Sequence, residues 1–384
     1  MHAFQFNTTK SVLCEVGATA KIGELMSAMG CKKVAFVTDK VILDLGLAEA
    51  ALEGLKAASI DVHLIDDVVP DPPEAMVLTA VDEAKKAGVD GVVSVGGGSS
   101  LDTAKLIAVL VDSEQPISEM YGVGLVKGKR LPLVLAPTTA GTGSEVTQIS
   151  IVSTGENEKK GVVSEQLLPD WAVLDAELTV GLPSHITAAT GIDAMVHAIE
   201  AYTSVHKKNI LSDTLACRAL TLLGENIHTA CSDGQNREAR SNMLLGSMLA
   251  GMAFANSPVA AVHALAYPLG GHFHVPHGLS NALVLPYVLE YNMPEASELY
   301  AEIAPLIFPE LAGKSVISIS EGMVKGFMDL GPALGLKTKL SEVGVEEKDL
   351  TMLAEDAMKQ TRLLVNNPRE MTYEAALDIY TKAL

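Results

Sequence analysis

Hydrophobic and polar positions follow one rhythm in the first part of this chain and another in the second. Up to about residue 180, short runs rich in valine, isoleucine and leucine alternate with longer segments whose apolar residues recur every three or four positions. Strands alternating with helices are typical of a parallel, doubly wound sheet with right-handed crossovers. The predicted strands are Val34–Thr38, Val62–Asp66, Gly91–Val95, Leu131–Ala136 and Val146–Val152, and the predicted helices are Ala18–Met29, Leu47–Ser59, Pro73–Ala87 and Ser100–Val111.

After about Leu182, β-branched residues become sparse, and long segments rich in alanine, leucine and methionine follow one another. Their apolar spacing predicts an all-helical second part. The Gly-Leu-Pro-Ser segment 181–184 is a natural break, so we predict an α/β domain over 1–181 and a helical domain over 182–384, with a shared ligand in the cleft between them. The predicted helices of the second domain are Thr187–Tyr202, Leu211–His228, Glu238–Ala255, Val259–Tyr267, Leu279–Tyr291, Ser318–Leu330, Val345–Leu364 and Tyr373–Leu384.

Composition narrows the classes of partner. Hydrophobic residues make up 48% of the 384 residues and charged residues 20%, so the chain can bury a large aliphatic interior. Its formal net charge is −19 and its isoelectric point about 4.9. A chain this acidic repels phosphate backbones and anionic lipid surfaces, so we expect neither a nucleic-acid nor a membrane partner.

The cysteines and the N-terminus indicate the compartment. The four cysteines form no CxxC pair, which favours reduced thiols over disulfides or zinc knuckles. The N-terminus lacks a basic region followed by an apolar run, and the most apolar stretch, Met243–Ala255, is too short to span a bilayer. We therefore expect a cytoplasmic protein.

Two short segments carry the residues of a candidate metal site. Asp193 and His197 lie four residues apart in GIDAMVHAIEAY, and a helix places such a pair on one face, one turn apart. His263 and His277 bracket a second histidine-rich segment. Three imidazoles and one carboxylate are a ligand set for zinc or ferrous iron, whereas calcium and magnesium prefer oxygen ligands alone.

A single histidine in an apolar helix is more often a hydrogen-bonded core residue than a ligand. Here the combination carries the argument, because a DxxxH pair precedes a segment in which His263, His272, His274 and His277 fall within 15 residues. From spacing alone, a metal site and a set of packed core histidines are about equally supported.

A glycine-rich loop follows the predicted strand Gly91–Val95. The sequence GGGSSLD, residues 96–102, opens a helix, and first-turn N–H groups free of side-chain crowding favour an anion such as a pyrophosphate. The alternative is a tight strand-to-helix turn with Ser99 or Ser100 as N-cap. GGGS differs from the GxGxxG fingerprint, and no GxxxxGK[ST] loop is present, which argues against an ATPase or kinase.

Two further features lie after predicted strands. The loop PTTAGTGSE, residues 137–145, offers hydroxyls and amides to a nucleotide, although an ordinary polar loop has the same composition. Asp39 ends the strand Val34–Thr38, where a carboxylate accepts ribose hydroxyls and repels a 2′-phosphate, favouring NAD over NADP. Asp39 is equally suited to cap a helix.

Taken together, these motifs resemble the iron-dependent (group III) alcohol dehydrogenases, nearly from end to end. The matching segments are GGGSSLD, PTTAGTGSE, GIDAMVHAIEAY, HALAYPLG from His263, PHG at 276–278 and NPRE at 367–370. The resemblance implies a dinucleotide-binding domain with a parallel sheet and an all-α metal-binding domain, the fold shared with dehydroquinate synthases. It also implies a homodimer, NAD as cofactor, and Fe(II), which Zn(II) replaces in some members.

The resemblance assigns roles to individual residues. It implies a metal bound by Asp193, His197, His263 and His277, with His263, His277 and the residue at 267 also in catalytic positions. Its cofactor residues correspond to Asp39, Gly97, Gly98, Ser99, Asp102, Thr138, Thr139, Thr142 and Lys159.

One position departs from the family pattern. Many members carry a second histidine four residues after the third ligand, near the nicotinamide, as a suggested proton relay. Here that residue is Tyr267. A tyrosine hydroxyl titrates near ~10, so it is a poor relay at neutral pH. His272, His274 or water are the candidate substitutes.

The function that the resemblance implies is reversible hydride transfer between NAD(H) and an alcohol/aldehyde pair. Alignment with the family places Ile149, Phe254 and Leu363 in the substrate pocket, and their apolar side chains favour a small to medium aliphatic primary alcohol over a polyol; otherwise they are core residues. The alternatives are a hydroxyacid–oxoacid transhydrogenase with bound NAD, another dehydrogenase or lyase of the same superfold, or a non-catalytic binding protein. A dehydroquinate synthase needs basic residues around its acidic substrate, and the ligand segments carry none.

Overall fold

A computed structural model describes residues 3–155 and 158–384. The chain forms two compact units. The first is Asn7–Gly181, and the second is Leu182–Leu384 together with the N-terminal segment that ends at Phe6.

The first unit is built on a six-stranded sheet in the order β1-β9-β6-β4-β2-β3, in which every pair is parallel. Its helices connect successive strands, as the predicted α/β class requires. The strands are β1 Ser11–Cys14, β2 Lys33–Val37, β3 Asp61–Ile65, β4 Gly91–Gly96, β6 Leu133–Pro137 and β9 Trp171–Leu174, and the helices are α1 Ile22–Ala28, α2 Lys40–Asp44, α3 Glu49–Ala57, α4 Glu74–Ala87 and α5 Gly98–Leu110.

Both faces of this sheet are buried. Alternate residues of a strand point to opposite faces, so Phe36 and Val93 lie in one hydrophobic cluster while Ala35 and Val92 lie in the other. Every residue of β4 and β6 is buried, as is typical of central strands covered by helices on both sides.

The order of the strands places three carboxyl ends side by side. From β2 the chain moves outward to β3, returns to β4 on the other side of β2, and continues to β6. The direction in which successive strands are added therefore reverses between β2 and β4. Open α/β sheets bind ligands at such a reversal, outside the carboxyl ends of the strands. Hydrogen bonds between these segments reinforce the edge: the Thr38 hydroxyl donates to the Val95 carbonyl, and the backbone N–H of Thr138 donates to the Gly96 carbonyl.

A second, three-stranded sheet corrects one sequence expectation. The predicted strand Val146–Val152 forms instead at β7, Ile149–Thr154, and pairs antiparallel with β8, Glu158–Val163, outside the parallel sheet. The reason is local, because Ser144–Val146 forms a 3₁₀ turn that redirects the chain after β6. The short strand β5, Gly122–Val123, completes this sheet, and the sequence pattern also missed β1 and β9.

The second unit is helical. Its longest helix has 31 residues and contains three prolines, so it runs well past the predicted Leu279–Tyr291 segment. The predicted helix Val345–Leu364 is divided in two at Lys359 and Gln360. The helices are α6 Ser184–Thr203, α7 Ile210–Ser232, α8 Arg237–Asn256, α9 Ala261–Phe273, α10 His277–Ile307, α11 Val316–Ala333, α12 Leu350–Met358, α13 Thr361–Leu364 and α14 Tyr373–Ala383.

Helix α6 is the centre of this unit, packed against α7, α8 and α10. Small residues allow the close approach. A Cβ atom at Gly278, near the start of α10, would lie 2.6 Å from the Ala189 carbonyl oxygen of α6. No single helix in the described part of the chain is both long and apolar enough to cross a bilayer, although the bent pair α8 and α9 meets that criterion together.

Candidate metal centre and nucleotide-binding loops

Four side chains of the helical unit converge on one point. The Oδ1 atom of Asp193 lies 4.0 Å from Nε2 of His197, 3.9 Å from Nε2 of His263 and 3.7 Å from Nε2 of His277. All four ligand atoms lie within 4.8 Å of one another. The structure thus brings together the four residues that the spacing singled out.

Three helices supply these residues. Asp193 and His197 are one turn apart on α6, and both are buried. His263 lies in the first turn of α9, and His277 is the first residue of α10. The close approach at Gly278 seats the start of α10 against α6, which is how His277 reaches Asp193.

Stacked rings hold the imidazoles in place. The Phe254 ring stacks on His197 at 4.3 Å between centroids, and His197 stacks on His263 at 4.7 Å. Tyr267 is tilted against His277, with centroids 6.0 Å apart. The His277 side chain is 37% exposed while the other three ligands are buried, so the site opens on the His277 side.

An amide at the centre of the site binds the carboxylate. The fully buried Asn281 donates from Nδ2 to Asp193 Oδ1 at 2.5 Å, and the same Nδ2 lies 3.3 Å from His263 Nε2. Its Oδ1 atom is buried without a hydrogen-bond partner. Asn281 therefore fixes the Asp193 oxygen that faces the imidazoles.

A second carboxylate lies behind His263. Oε2 of Glu200 is 2.6 Å from His263 Nδ1, and Oε1 accepts the Val262 N–H at 2.7 Å. Glu200 is 3% exposed. Nδ1 is thus the ring nitrogen of His263 that faces Glu200, and Nε2 is the one that faces Asp193.

This donor set fits a transition-metal ion. The distances from Asp193 Oδ1 to the imidazole nitrogens exceed hydrogen-bond lengths, as expected when an ion with bonds of ~2.0–2.2 Å lies among them. Burial raises the pKa of the Asp193 carboxyl, but the three imidazoles and Asn281 outweigh it and hold that pKa below its usual value. The carboxyl is therefore ready to bind a cation as an anion.

In the first unit, the loop after β4 leads directly into α5. Gly97 is the N-cap, in extended conformation, and neither Ser99 nor Ser100 caps the helix, contrary to the alternative raised from the sequence. Nothing lies within 4 Å of a Cβ atom built on Gly97, whereas one on Gly98 would lie 2.9 Å from Thr142. Open space over the first turn of α5 fits a phosphate group.

Asp102 is engaged by the protein itself. Its Oδ1 accepts the Ser144 hydroxyl at 2.6 Å and the Lys105 ammonium at 3.2 Å, and its Oδ2 accepts the Ile151 N–H at 2.9 Å. These contacts connect α5 to the segment after β6. Asp102 therefore shapes the predicted nucleotide site by holding these two segments together.

Lys105 is the centre of this network. The completely buried Nζ also donates to the Ser144 hydroxyl at 2.8 Å, the Thr147 hydroxyl at 3.1 Å and the Ile149 carbonyl at 2.7 Å. Burial lowers the pKa of Lys105 below its usual value, although the charges of Asp102 and Glu145 partly oppose this shift. Four oxygen acceptors around three N–H bonds are an environment for an ammonium ion, so we assign Lys105 as charged.

Glu145 is buried beside this lysine, and neither of its carboxylate oxygens has a hydrogen-bond partner in another residue. Burial raises its pKa to about 7, although its own backbone N–H and the charge of Lys105 lower it. The first unit therefore contains a carboxyl group that titrates near neutrality.

Other predicted cofactor residues lie at the same edge of the sheet. Thr138 is buried, and Thr139 and Thr142 are partly exposed in the loop after β6. Asp39 caps α2, where its Oδ1 accepts the Ile42 N–H at 3.1 Å, as its second interpretation foresaw. Lys159 lies on β8, and its ammonium pairs with Asp71 at 2.5 Å.

The predicted substrate residues occupy different settings. Phe254 contacts the metal-site ring of His197, Leu363 is buried in α13, and Ile149 lies in the first unit at the start of β7. Of the suggested relay substitutes, His272 is paired with Asp356 at 2.5 Å, and His274 is exposed with a left-handed backbone.

Two family models match this chain along nearly its whole length. The model described as iron-containing alcohol dehydrogenase matches residues 9–176, and the one described as Fe-containing alcohol dehydrogenase family, C-terminal, matches residues 187–384. The chain belongs to the iron-containing alcohol dehydrogenases. The resemblance drawn from its motifs is confirmed, and so is the predicted pairing of a parallel α/β unit with a helical one.

Individual relatives match over most or all of their lengths. Long-chain-alcohol dehydrogenase 1 of Geobacillus thermodenitrificans (strain NG80-2) is 39% identical over 370 residues, which cover 96% of this chain and 93% of the relative. The crystal structure of a 1,3-propanediol oxidoreductase superposes with a TM-score of 0.96 at 34% identity, covering 100% of both chains. A sulfoacetaldehyde reductase from Bifidobacterium kashiwanohense in complex with NAD+ superposes with a TM-score of 0.88 at 29% identity, covering 100% of this chain and 99% of that one. Their names span three substrates, so membership of the family does not select one.

Sequence reasoning missed four residues of these sites, although each had a signal. Glu200 follows Asp193 by seven residues and His197 by three, which is the same helical face. Asn281 follows His277 by four residues in the same way. The other two, Lys105 and Glu145, stand inside or directly after the glycine-rich motifs.

Proposed function

We propose that this enzyme transfers a hydride between NAD(H) and a small to medium aliphatic primary alcohol or its aldehyde. The helical unit would hold Fe(II) or Zn(II) through Asp193, His197, His263 and His277, and the first unit would hold the nucleotide. The convergence of these four ligand atoms within 4.8 Å carries the proposal. From the family resemblance we also propose a homodimer that acts in the cytoplasm.

The nucleotide assignment rests on three neighbouring strand ends. The loops after β4 and β6 offer N–H and hydroxyl groups. Asp39 follows β2, and its backbone forms an isolated antiparallel β-bridge with that of Asp67. Two carboxylates at the expected ribose end favour NAD over NADP, because a 2′-phosphate carries negative charge. The family relative in complex with NAD+ supports the same cofactor.

The charge balance of the site supports a neutral substrate. Asp193 and Glu200 each contribute one negative charge, which offsets a divalent cation held by neutral imidazoles. The ligands also contact the Phe254 and Tyr267 rings and the Asn281 amide, none of which carries a positive charge. Such surroundings suit an aliphatic alcohol better than a sulfonate or a hydroxyacid, since an anion gains no compensating positive charge.

The residues of the chain divide the chemical work. A metal ion at the site supplies Lewis acidity, which favours negative charge on a substrate oxygen. Glu200 and Asn281 hold His263 and Asp193 in ligating orientation. Phe254 covers His197 and excludes water from that side, so the substrate approaches near His277 and Tyr267. No covalent nucleophile is required, because the nicotinamide carries the hydride.

The test is turnover by metal-free protein reloaded anaerobically with Fe(II) or Zn(II). Reduction of NAD and of NADP is followed with straight-chain alcohols, 1,3-propanediol and a four-carbon hydroxyacid. In the reverse direction, oxidation of NADH and of NADPH is followed with straight-chain aldehydes and sulfoacetaldehyde. We expect one metal to restore activity, with NAD preferred and neutral alcohols preferred over anions. Stoichiometric metal binding without turnover of any of these pairs would overturn the proposal.

Tyr267 favours one alternative, a transhydrogenase that keeps its NAD bound. In that case hydride would pass from a hydroxyacid to an oxoacid without added nucleotide. Product formation under those conditions, measured by chromatography, separates the two functions.

A further inference from the structure

We infer that Glu200 is a positioning residue that selects the metal-binding tautomer of His263. The inference rests on the proposed metal site and adds a fifth residue to it. Glu200 lies on α6, the helix that supplies Asp193 and His197, while His263 lies on α9. One carboxylate therefore connects the two helices that hold three of the four ligands.

The two oxygens of Glu200 have separate partners. Oε2 is 2.6 Å from the His263 ring nitrogen Nδ1, and Oε1 accepts the backbone N–H of the preceding residue, Val262, at 2.7 Å. The ring and the backbone of the same ligand segment are thus fixed by one side chain. Because Val262 is in the first turn of α9, the carboxylate also lies at the positive end of that helix dipole.

The neighbouring contact strengthens the attachment. The Ser257 hydroxyl, in the turn before α9, donates to the Ala201 carbonyl of α6 at 2.7 Å. Both ends of the segment 257–263 are therefore hydrogen-bonded to α6, at residues 201 and 200 respectively. Glu200 and Ser257 are both buried, so water does not compete for these bonds.

The tautomer follows from the chemistry of the acceptor. Only the neutral imidazole with its proton on Nδ1 can donate to Glu200 and offer the Nε2 lone pair to a metal. Hydrogen bonds of this kind raise the basicity of a ligating histidine, and removing such a partner typically costs ~10–100-fold in metal affinity.

Glutamine at position 200 should reverse the preference. Its amide places an oxygen at only one of the two carboxylate-oxygen positions, so an N–H₂ group faces either the Val262 N–H or His263 Nδ1. If the oxygen stays on Val262, the amide N–H₂ faces His263 Nδ1 and stabilises the tautomer protonated on Nε2. That tautomer has no lone pair for the metal.

The experiment measures zinc affinity of the stripped full-length protein by competition with a chromophoric chelator. We expect Glu200→Gln to bind zinc ~10–100-fold more weakly than wild type. The matched control is Glu302→Gln. It removes a carboxylate that accepts a hydrogen bond from the hydroxyl of Tyr202, a residue of α6 that lies outside the proposed metal site. This control should bind zinc as wild type does.

A second readout separates positioning from general stabilisation. Long-range ¹H–¹⁵N correlation of the histidine-labelled, metal-free protein reports which ring nitrogen carries the proton. We expect Nδ1–H for His263 in wild type and loss of that signal pattern in Glu200→Gln. If Glu200→Gln fails to fold, Glu200→Asp keeps the charge on a shorter side chain and should show a smaller loss of affinity.

The outcomes distinguish this inference from the proposed function. Wild-type protein that binds no zinc would contradict the metal site itself. Zinc affinity and tautomer equal to wild type in folded Glu200→Gln would overturn the positioning role while leaving the metal site intact.

Discussion

At the scale of single residues, the candidate metal centre consists of four proposed ligands and two residues that contact them. Spacing on a helix is enough to pair Asp193 with His197, since both must lie on one face of α6. Spacing says nothing about the hydrogen bond that orients a ring. The roles of Glu200 and Asn281 became visible only when their distances to His263 and Asp193 were known.

His263→Ala should remove metal retention and turnover together. The substitution deletes one of three nitrogen ligands and leaves Glu200 buried without its ring partner. Metal content after dialysis, measured by mass spectrometry, and initial rates check this. His228→Ala, an exposed histidine on α7, should retain wild-type metal content. Unchanged turnover in folded His263→Ala would refute the site.

Asp39 has two functions that one substitution can separate. Asn is as good an N-cap as Asp, so Asp39→Asn should keep the bond to Ile42 N–H while losing the charge that repels a 2′-phosphate. We expect kcat/KM with NADP, relative to NAD, to rise about tenfold, equivalent to ~1.4 kcal/mol.

Asp39→Ala provides the comparison for the cap. It should show the same cofactor change together with a loss of about 1 kcal/mol in unfolding free energy. A cofactor ratio that stays at the wild-type value in Asp39→Asn would mean that the carboxylate lies away from the ribose.

At the scale of elements, Lys105 holds α5, the loop after β6 and the start of β7 in one arrangement. Each contact is a single hydrogen bond: Asp102 lies on α5 itself, whereas the other three acceptors lie 39 to 44 residues further along the chain. The GGGSSLD and PTTAGTGSE motifs could be recognised as neighbours from the strand order they follow. The buried cation that connects them could not, because sequence pattern does not reveal a partner across about 40 residues.

Lys105→Met should destabilise the first unit and weaken NAD binding. The side chain has a similar volume, yet Asp102 loses its buried counter-charge, which costs about 3 kcal/mol in unfolding free energy. Urea unfolding and NAD titration by fluorescence measure the two effects. Lys127→Met, at an exposed loop lysine, should change the unfolding free energy by less than ~0.5 kcal/mol. Wild-type NAD affinity in Lys105→Met would argue that the network does not shape the nucleotide site.

The helix boundaries show where periodicity was sufficient. Predicted helices such as Pro73–Ala87 and Tyr373–Leu384 differ from the observed ones by a residue. Helix α10 continues through Pro286 and Pro294, which normally end a helical pattern. Tertiary packing of its apolar face stabilises it enough to override that signal.

At the scale of the whole molecule, we expect Glu145 to make stability depend on pH. Burial raises the pKa of its carboxyl in the folded state to about 7, from the usual value of 4.5. A raised carboxyl pKa contributes stability below about 4.5, and this contribution is lost as pH rises through about 7. The shift corresponds to about 3 kcal/mol between those limits.

Glu145→Gln should remove this dependence. We expect the wild type to lose up to about 3 kcal/mol of unfolding free energy relative to Glu145→Gln when the pH rises from 5 to 8. Urea denaturation at both pH values measures it. If the unfolding free energies of the two proteins changed equally with pH, the ionised Glu145 carboxylate would have to be stabilised by another group in the folded protein, which would contradict the prediction.

Sequence patterns alone were enough to predict the two-part architecture, the segments that carry the candidate ligands and the family. These features depend on periodicity and on motifs, which are local properties of the chain. Tertiary structure brought the candidate ligands together: His263 in the first turn of α9 and His277 at the start of α10 both face Asp193, whereas His272 is paired with Asp356. It also decided that Glu200 and Lys105 hold their sites together, because hydrogen bonds and burial depend on contacts between residues distant in sequence.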